Sequence, residues 1–190
     1  MLSNAVNLAH TYWEEILVPG DIVIDATCGN GHDTLFVAQK VLHERSGKVF
    51  GFDIQPTAIA ATTLNLKTHL THEQFNDVIL IHGSHAHFPK TIQERSIKLI
   101  VYNLGYLPKG NKSIVTHHES SLESLRNAMK LIRDDGMISM TCYPGHPEGK
   151  VEEDKILEYV GSLSAKEWIC CHHRWINRHA APSLLLVKKL

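Results

Sequence analysis

Apolar residues along the chain follow two different periods in alternation. Short continuous apolar runs, such as those in 22–26 and 78–81, are typical of buried parallel strands. Between such runs, apolar residues recur every three or four positions, as in 4–17 and 120–132, which predicts amphipathic helices. The predicted strands are 22–26, 48–53, 78–81, 97–102, 137–142, 168–176 and 184–187, and the predicted helices are 4–17, 32–43, 56–70, 120–132 and 151–163. This alternation predicts a parallel sheet covered by helices on both faces.

The last two predicted strands depart from the alternation. Only Asn177–Pro182 separates them, which is too short for a crossover helix, so they should pair antiparallel as a hairpin. We therefore expect an α/β fold with a seven-stranded, mostly parallel sheet that ends in an antiparallel C-terminal hairpin. The 190 residues suit a single domain spanning 1–190, and the chain has no internal repeat or linker.

Composition narrows the class of protein. Hydrophobic residues make up 43% and charged residues 21%, as in soluble globular proteins. No apolar run approaches the roughly 20 residues that span a bilayer, and the N-terminus lacks a signal-peptide pattern. Two of the four cysteines are adjacent, which favours reduced thiols and a cytoplasmic location. Charge is uneven: residues 1–89 carry 4 Lys and Arg against 9 Asp and Glu, and residues 90–190 carry 15 against 11. This suits a cofactor half and a polyanion-facing half, although random placement of surface charge can produce it too.

The first strand runs into a glycine turn. After the acidic residue Asp25 come Gly29 and Gly31, and then a predicted helix. A strand, a tight glycine turn and a helix N-terminus form a cradle for a nucleotide-like ligand. Asp53 ends the next strand 22 residues after Gly31, the spacing of a carboxylate that binds a ribose. Gln55 can help to hold the ribose or the adenine edge, whereas the alternative is that this segment only caps the following helix.

Several stretches carry a specific resemblance. They are Asp25–Thr34 (DATCGNGHDT), Gly51–Gln55 (GFDIQ), Gly83–His85 (GSH), and Asn103–Pro108 (NLGYLP) with Lys112–Ile114 (KSI). With the closing hairpin, the chain resembles the Rossmann-like fold of class I S-adenosylmethionine (SAM) methyltransferases. Within that class it resembles the bacterial and plastid family once called putative rRNA methylases, whose members methylate the aminomethyl group of 5-aminomethyluridine at the tRNA wobble position. The resemblance implies SAM as cofactor and the anticodon region of tRNA as partner, and it leaves a homodimer open.

The resemblance also implies a set of cofactor-binding residues. These are Asp25, Gly29, Asn30, Gly31, Asp33, Asp53, Gln55, Ser84 and His85. Asn30 and Asp33 would meet the amino-acid end of SAM, whose ammonium and sulfonium favour nearby carboxylates, and Asp25 would serve the same ammonium through water. Ser84 and His85 would lie at the adenine. Alternatively, Asp33 only favours a helix N-terminus, and the Ser84 segment is a surface turn.

The segment after the fourth strand is the expected chemical centre. The resemblance implies that Asn103 and Tyr106 are catalytic, and that Leu104, Gly105, Pro108, Lys112 and Arg178 bind the substrate. Methyl transfer is an in-line displacement, so the amine lone pair must be free and aimed at the methyl carbon. The Asn103 oxygen can orient the N–H groups, and Tyr106 can stack on the uracil. A structural turn is the alternative. Lys109 and Arg174 join Lys112 and Arg178 as candidate phosphate contacts or solvated charges.

Histidines supply candidates for a proton acceptor, and a Cys–His run offers potential metal ligands. A primary ammonium must lose a proton before it attacks, and His117, His118 and bulk water are candidates to accept it. The run Cys170–His173 is not expected to bind metal, because neighbouring residues of a strand point to opposite faces and no C-x-x-C pair is present.

Three rival functions remain. The same chemistry can act on another RNA base or on a small-molecule amine. An NAD(P)-dependent oxidoreductase is disfavoured by the missing G-x-G-x-x-G and by the closing hairpin. The third rival is a catalytically silent RNA-binding module, which the presence of both Asp53 and Asn103 disfavours.

Overall fold

The structure, a computed structural model, describes residues 4–43, 47–105 and 118–190. The strands are β1 Ile22–Asp25, β2 Lys48–Asp53, β3 Val78–His82, β4 Ile97–Leu104, β5 Ile132–Cys142, β6 Trp168–His173 and β7 Ser183–Lys189. The helices are α1 Ala5–Ile16, α2 His32–Val41, α3 Pro56–His69, α4 His72–Asn76, α5 His118–Leu131 and α6 Pro147–Gly161. All seven strands form one sheet in the order β3-β2-β1-β4-β5-β7-β6. Strands β1 to β5 pair in parallel, whereas β7 is antiparallel to both β5 and β6, so the predicted fold is confirmed.

Each face of the sheet is covered by its own helices. Trp13 of α1 and Val37 of α2 pack with Val23 and Leu99 on one face. The other face carries α5 and α6, where Leu125 packs in the same cluster as Ile100 and Tyr102. Consecutive residues of β4 therefore enter opposite cores, which explains its continuous apolar run.

Several predictions were wrong: helix α4 was not predicted, strand β5 begins at Ile132 rather than at 137, and three further boundaries differ. Strand β4 does not end at Tyr102, because Asn103 and Leu104 still pair with Thr141 and Cys142 of β5. Helix α6 begins earlier than predicted, at Pro147, because the His146 ring accepts a hydrogen bond from the Gly149 N–H at 3.1 Å and so caps the helix. Strand β6 ends at His173 rather than at 176.

The predicted site residues lie at one edge of the sheet, where strand ends and a hairpin loop come together. The carboxyl ends of β1, β2, β4 and β5 meet there, and the direction of chain progression reverses between β1 and β4. This is the crevice where open α/β sheets bind ligands. The loop 174–182 of the C-terminal hairpin reaches the same edge, because Ser183 pairs with Cys142 at the end of β5. Among the helices described, none has both the length and the apolar character to cross a bilayer.

Candidate functional site

Asp53 holds the glycine turn to the end of β2. Its carboxylate accepts the Gly29 N–H at 3.0 Å and the Gln55 N–H at 2.9 Å, one at each oxygen. Each oxygen keeps a further lone pair, so the half-buried carboxylate can still accept from ribose hydroxyls. Gln55 is 8% exposed and precedes Pro56, the first residue of α3. Gln55 stands at the N-cap position of α3, but no side-chain hydrogen bond caps this helix. The ribose contacts of Asp53 stay a prediction.

Backbone conformation and a close neighbour require glycine in the turn. Gly29 and Gly31 adopt φ of +53° and +77°, which L side chains rarely accept. A Cβ on Gly31 would lie 2.9 Å from the Thr62 Cα of α3. The Thr62 hydroxyl donates to the Gly29 carbonyl at 3.0 Å, so α3 closes one side of the turn. The exposed Asn30 stands at its tip.

Asp25, the last residue of β1, holds the start of the turn and of α2 through hydrogen bonds. It is fully buried, and it accepts the Thr34 hydroxyl at 2.6 Å and the Thr27 N–H at 3.1 Å. Burial, followed by the negative charge of Asp33, raises the pKa of Asp25 to about 7. The expected water-mediated contact of Asp25 with a cofactor ammonium stays a prediction, because its described contacts are all within the turn.

Asp33 connects the cofactor turn to the predicted catalytic residue. One carboxylate oxygen lies 2.6 Å from His10 Nε2, and the other accepts from Asn103 Nδ2 at 2.6 Å. The Asn103 N–H donates to the Thr27 hydroxyl at 2.7 Å, so Thr27 joins β4 to the turn. Sequence reasoning missed His10, since it lies 23 residues before Asp33 on a helix whose pattern indicated only packing.

The end of β5 adds an aromatic ring that sequence reasoning also missed. A Cβ on Gly105 would contact the half-buried Tyr143 ring at 3.5 Å. Burial, followed by the charge of Asp33, raises the pKa of Tyr143, so its phenol stays protonated. The sequence signal that could have identified Tyr143 was its position directly after β5, the strand next to β4. The prediction that Leu104 binds the substrate is wrong. Its side chain is 1% exposed and packs in the core, so it cannot contact a substrate.

The other predicted site residues fall into three groups. Ser84 is exposed and its hydroxyl accepts the Ala86 N–H at 3.2 Å, as in a surface turn. The His85 ring packs edge-on against Tyr102 with 5.8 Å between centroids, and burial lowers the pKa of His85 to about 4. The ring is therefore neutral and largely buried, and its expected contact with the adenine stays a prediction. The predictions that lie outside the described residues are Tyr106, Pro108, Lys109, Lys112 and His117.

The hairpin loop 174–182, at the same edge of the sheet, carries basic and aromatic side chains. Arg178 lies over the Trp175 ring, with 5.7 Å between the guanidinium carbon and the ring centroid. Beside them is a cleft of about 250 Å³, lined in part by Leu8 of α1 and by His173 and Trp175. His118, a candidate proton acceptor, begins α5 with its ring 3.2 Å from the Glu119 carboxylate. Within the described ranges, no three His, Cys, Asp or Glu side chains come together in a metal-binding group.

Comparisons with known proteins agree with this geometry. The family model described as putative rRNA methylase matches residues 49–189. A tRNA (mnm5s2U34)-methyltransferase, chloroplastic, from Arabidopsis thaliana is 38% identical over 190 residues, with 97% of this chain and 69% of the relative covered. A putative rRNA methylase from Clostridium thermocellum has 37% identity and a TM-score of 0.92, with 100% of both chains covered. A putative methyltransferase from Streptococcus mutans, solved in complex with SAH, has 27% identity and a TM-score of 0.84, again with 100% of both chains covered.

The strand order, the closing hairpin and the Asp53-bound glycine turn define a class I SAM-dependent methyltransferase. More specifically, this chain belongs to the putative rRNA methylase family. The residues present fit SAM, because the left-handed Gly31 keeps the turn open where any side chain would collide with α3, and Asp53 presents a carboxylate beside it. Membership of this family shows that the oxidoreductase alternative is wrong.

Proposed function

We propose that this enzyme methylates the amine of 5-aminomethyl-uridine or its 2-thio form at the tRNA wobble position. The observation that carries the proposal is the direct hydrogen bond between the amide of Asn103 and Asp33 of the cofactor-side helix. It supports a role for Asn103 in orienting the amine at the boundary between the donor site and the open edge of the sheet. The printed name of the Arabidopsis relative supports the choice of substrate.

The turn and two carboxylates would hold the methyl donor. Asp53, with Gln55 beside it, would accept hydrogen bonds from the ribose, and the turn at Asn30 would enclose the amino-acid end. Asp33 lies where a carboxylate would attract the positively charged ammonium and sulfonium of SAM. When bound, SAM supplies an electrophilic methyl group. The residues of the turn therefore set where that methyl group is presented.

Asn103 would orient the accepting amine. Its amide nitrogen already donates to Asp33, so its Oδ1 is the atom that can accept an N–H from the substrate. That contact directs the nitrogen lone pair away from Asn103. Once the substrate ammonium has lost one proton, the freed lone pair would form the new N–C bond as the methyl–sulfur bond breaks and leaves its electrons on sulfur. Orientation of this kind is worth several orders of magnitude in rate.

An aromatic wall and a basic rim would receive the nucleic acid. The Tyr143 ring lies over Gly105 and offers a face for the uracil, in addition to the role predicted for Tyr106. Asn103, Thr141, Leu184 and His173 are register partners across the sheet, so the hairpin lies about 14 Å from Asn103, three strand spacings away. That distance suits nucleotides next to the modified one.

The charged residues of the hairpin loop support an RNA partner. Arg174 and Arg178 are exposed there, and Trp175 offers a ring on which a base can stack. The anticodon region of tRNA is accordingly the proposed partner. The free thiols suit the reducing conditions of the cytoplasm, the proposed location. A homodimer remains a prediction that sedimentation would test.

The test is nucleoside mass spectrometry after incubation with SAM and tRNA that carries aminomethyl groups at the wobble position. We expect the wobble nucleoside to gain one methyl group on nitrogen. Methylation at another nucleoside, or of free amines with tRNA left unchanged, would overturn the substrate assignment. Matched tRNA with an unmodified wobble uridine is the control and should gain nothing.

A further inference from the structure

Helix α1 contributes one polar side chain to the site, and the roles assigned above do not use it. His10 Nε2 lies 2.6 Å from one oxygen of Asp33, while the other oxygen of Asp33 bonds to Asn103. The imidazole also stacks on Phe36, with 4.1 Å between ring centroids, and packs against Trp13 at 4.8 Å. Its side chain is 25% exposed and that of Asp33 is 12% exposed, so the contact is largely shielded from solvent.

The donor and acceptor of each hydrogen bond among His10, Asp33 and Asn103 follow from their chemistry. An ionised carboxylate only accepts, so the hydrogen must lie on His10 Nε2 and the amide nitrogen of Asn103 must face Asp33. Each oxygen of Asp33 therefore has one fixed donor. The His10 bond sets the rotation of the Asp33 carboxylate, and the carboxylate in turn sets which way the Asn103 amide is turned.

We propose that His10 is a positioning residue that acts through Asp33 to keep the Asn103 oxygen turned toward the accepting amine. The inference rests on the proposed role of Asn103 in orienting that amine. Without the His10 donor, Asp33 can rotate away, and the Asn103 amide can turn its nitrogen toward the amine. A donor in that place would compete for the nitrogen lone pair that has to attack.

A purely structural role makes the opposite prediction for two matched variants. His10→Phe keeps an aromatic ring between Phe36 and Trp13 but removes the N–H donor. His10→Gln loses the ring but carries an amide N–H at a similar reach. If His10 only packs, the Phe variant should be the better enzyme. If it positions Asp33, the Gln variant should be.

The kinetic test measures the single-turnover methyl-transfer rate, the Kd values for SAM and tRNA, and the melting temperature. We expect His10→Phe to lose about 10- to 100-fold in rate, the value of one charge-assisted hydrogen bond. His10→Gln should stay within about fivefold of the wild-type rate, and the tRNA Kd should change in neither variant. A wild-type rate in His10→Phe, or a Gln variant slower than the Phe variant, would overturn the proposal.

Coupling to Asp33 provides an independent check. In an Asp33→Asn background, His10→Phe should cause no further loss of rate, because the two residues act as one unit. Full additivity of the two losses would contradict the inference.

A spectroscopic measurement needs no tRNA and separates this inference from the proposed function. The side-chain amide signals of Asn103 in 15N-labelled protein, assigned by their loss in Asn103→Ala, should move toward those of an exposed asparagine in His10→Phe but not in His10→Gln. Unmoved signals in His10→Phe would refute the positioning role, even if wild-type methylation is confirmed. Failure of wild-type protein to methylate tRNA, with the signals moving as expected, would refute only the proposed substrate.

Discussion

The cofactor turn and the substrate edge are built in different ways. In the turn, each hydrogen bond has a backbone partner: the Asp53 carboxylate accepts the Gly29 and Gln55 N–H groups, and the Thr62 hydroxyl of α3 donates to the Gly29 carbonyl. At the substrate edge, the side chains of Asn103, Tyr143 and Arg178 come from three separate parts of the chain. Backbone contacts suit a cofactor that is the same in every reaction, whereas side chains can be exchanged as the substrate changes. The difference indicates where substitutions should affect donor binding and where they should affect methyl transfer.

The largest expected effect is on donor binding, through Asp53. Asp53→Ala removes a carboxylate that would bond the ribose and that already holds the Gly29 and Gln55 N–H groups. We expect the SAM Kd, measured by calorimetry, to rise about 100-fold or more. The exposed Glu94→Ala, which removes the same charge elsewhere, should leave the Kd unchanged. A small effect of Asp53→Ala would remove the ribose assignment.

The next effect concerns the pH dependence of stability, through Asp25. Its pKa of about 7 exceeds that of the unfolded chain, so the folded state binds the extra proton between about pH 4 and 7. The contribution of Asp25 to the free energy of unfolding is therefore present at acid pH and is lost as pH rises through 7. Between pH 5 and 8 the wild type should lose about 2 kcal/mol relative to Asp25→Asn, measured by urea unfolding. Equal differences at both pH values would show that Asp25 is ionised throughout.

An effect of similar size on stability is expected from adding a methyl group to the turn. Gly31→Ala imposes a positive φ on alanine and places its Cβ 2.9 Å from Thr62 Cα. It should lower the free energy of unfolding by about 1–3 kcal/mol and weaken SAM binding. Gly161→Ala is the matched control, because nothing lies within 4 Å of its Cβ, and it should be neutral or slightly stabilising. Similar losses in the two variants would contradict the account of the turn.

The smallest effect belongs to the rim. Arg178→Gln removes one candidate phosphate contact, so tRNA binding should weaken only about two- to fivefold, and the salt dependence of log K should decrease by about one contact. SAM binding should be unaffected. Lys166→Gln, an equal loss of charge at the opposite edge of the sheet, should change neither. If both variants weaken tRNA binding equally, the hairpin is not the RNA-facing end.

The glycine turn could be predicted from the sequence more fully than the substrate edge. The sheet, the hairpin and the turn were predicted because their signals are local: apolar runs, a six-residue connection, and Asp53 at a set spacing from Gly31. His10 and Tyr143 were not, because their proximity to Asp33 exists only after α1 and β5 have packed. The boundary of β4 was missed because polar Asn103 looks like a loop residue, although its backbone still pairs with Thr141. The burial of the His85 ring was not predicted, because a polar residue after a strand gives no sign of burial.

One pair of measurements on Asn103→Ala tests the division most directly. If Asn103 orients the amine and does not bind the donor, we expect the SAM Kd to change by no more than about threefold. The single-turnover rate of methyl transfer to wobble-aminomethylated tRNA should fall about 100-fold or more. A wild-type transfer rate, or a loss of SAM affinity that accounts for the whole loss of rate, would contradict that role.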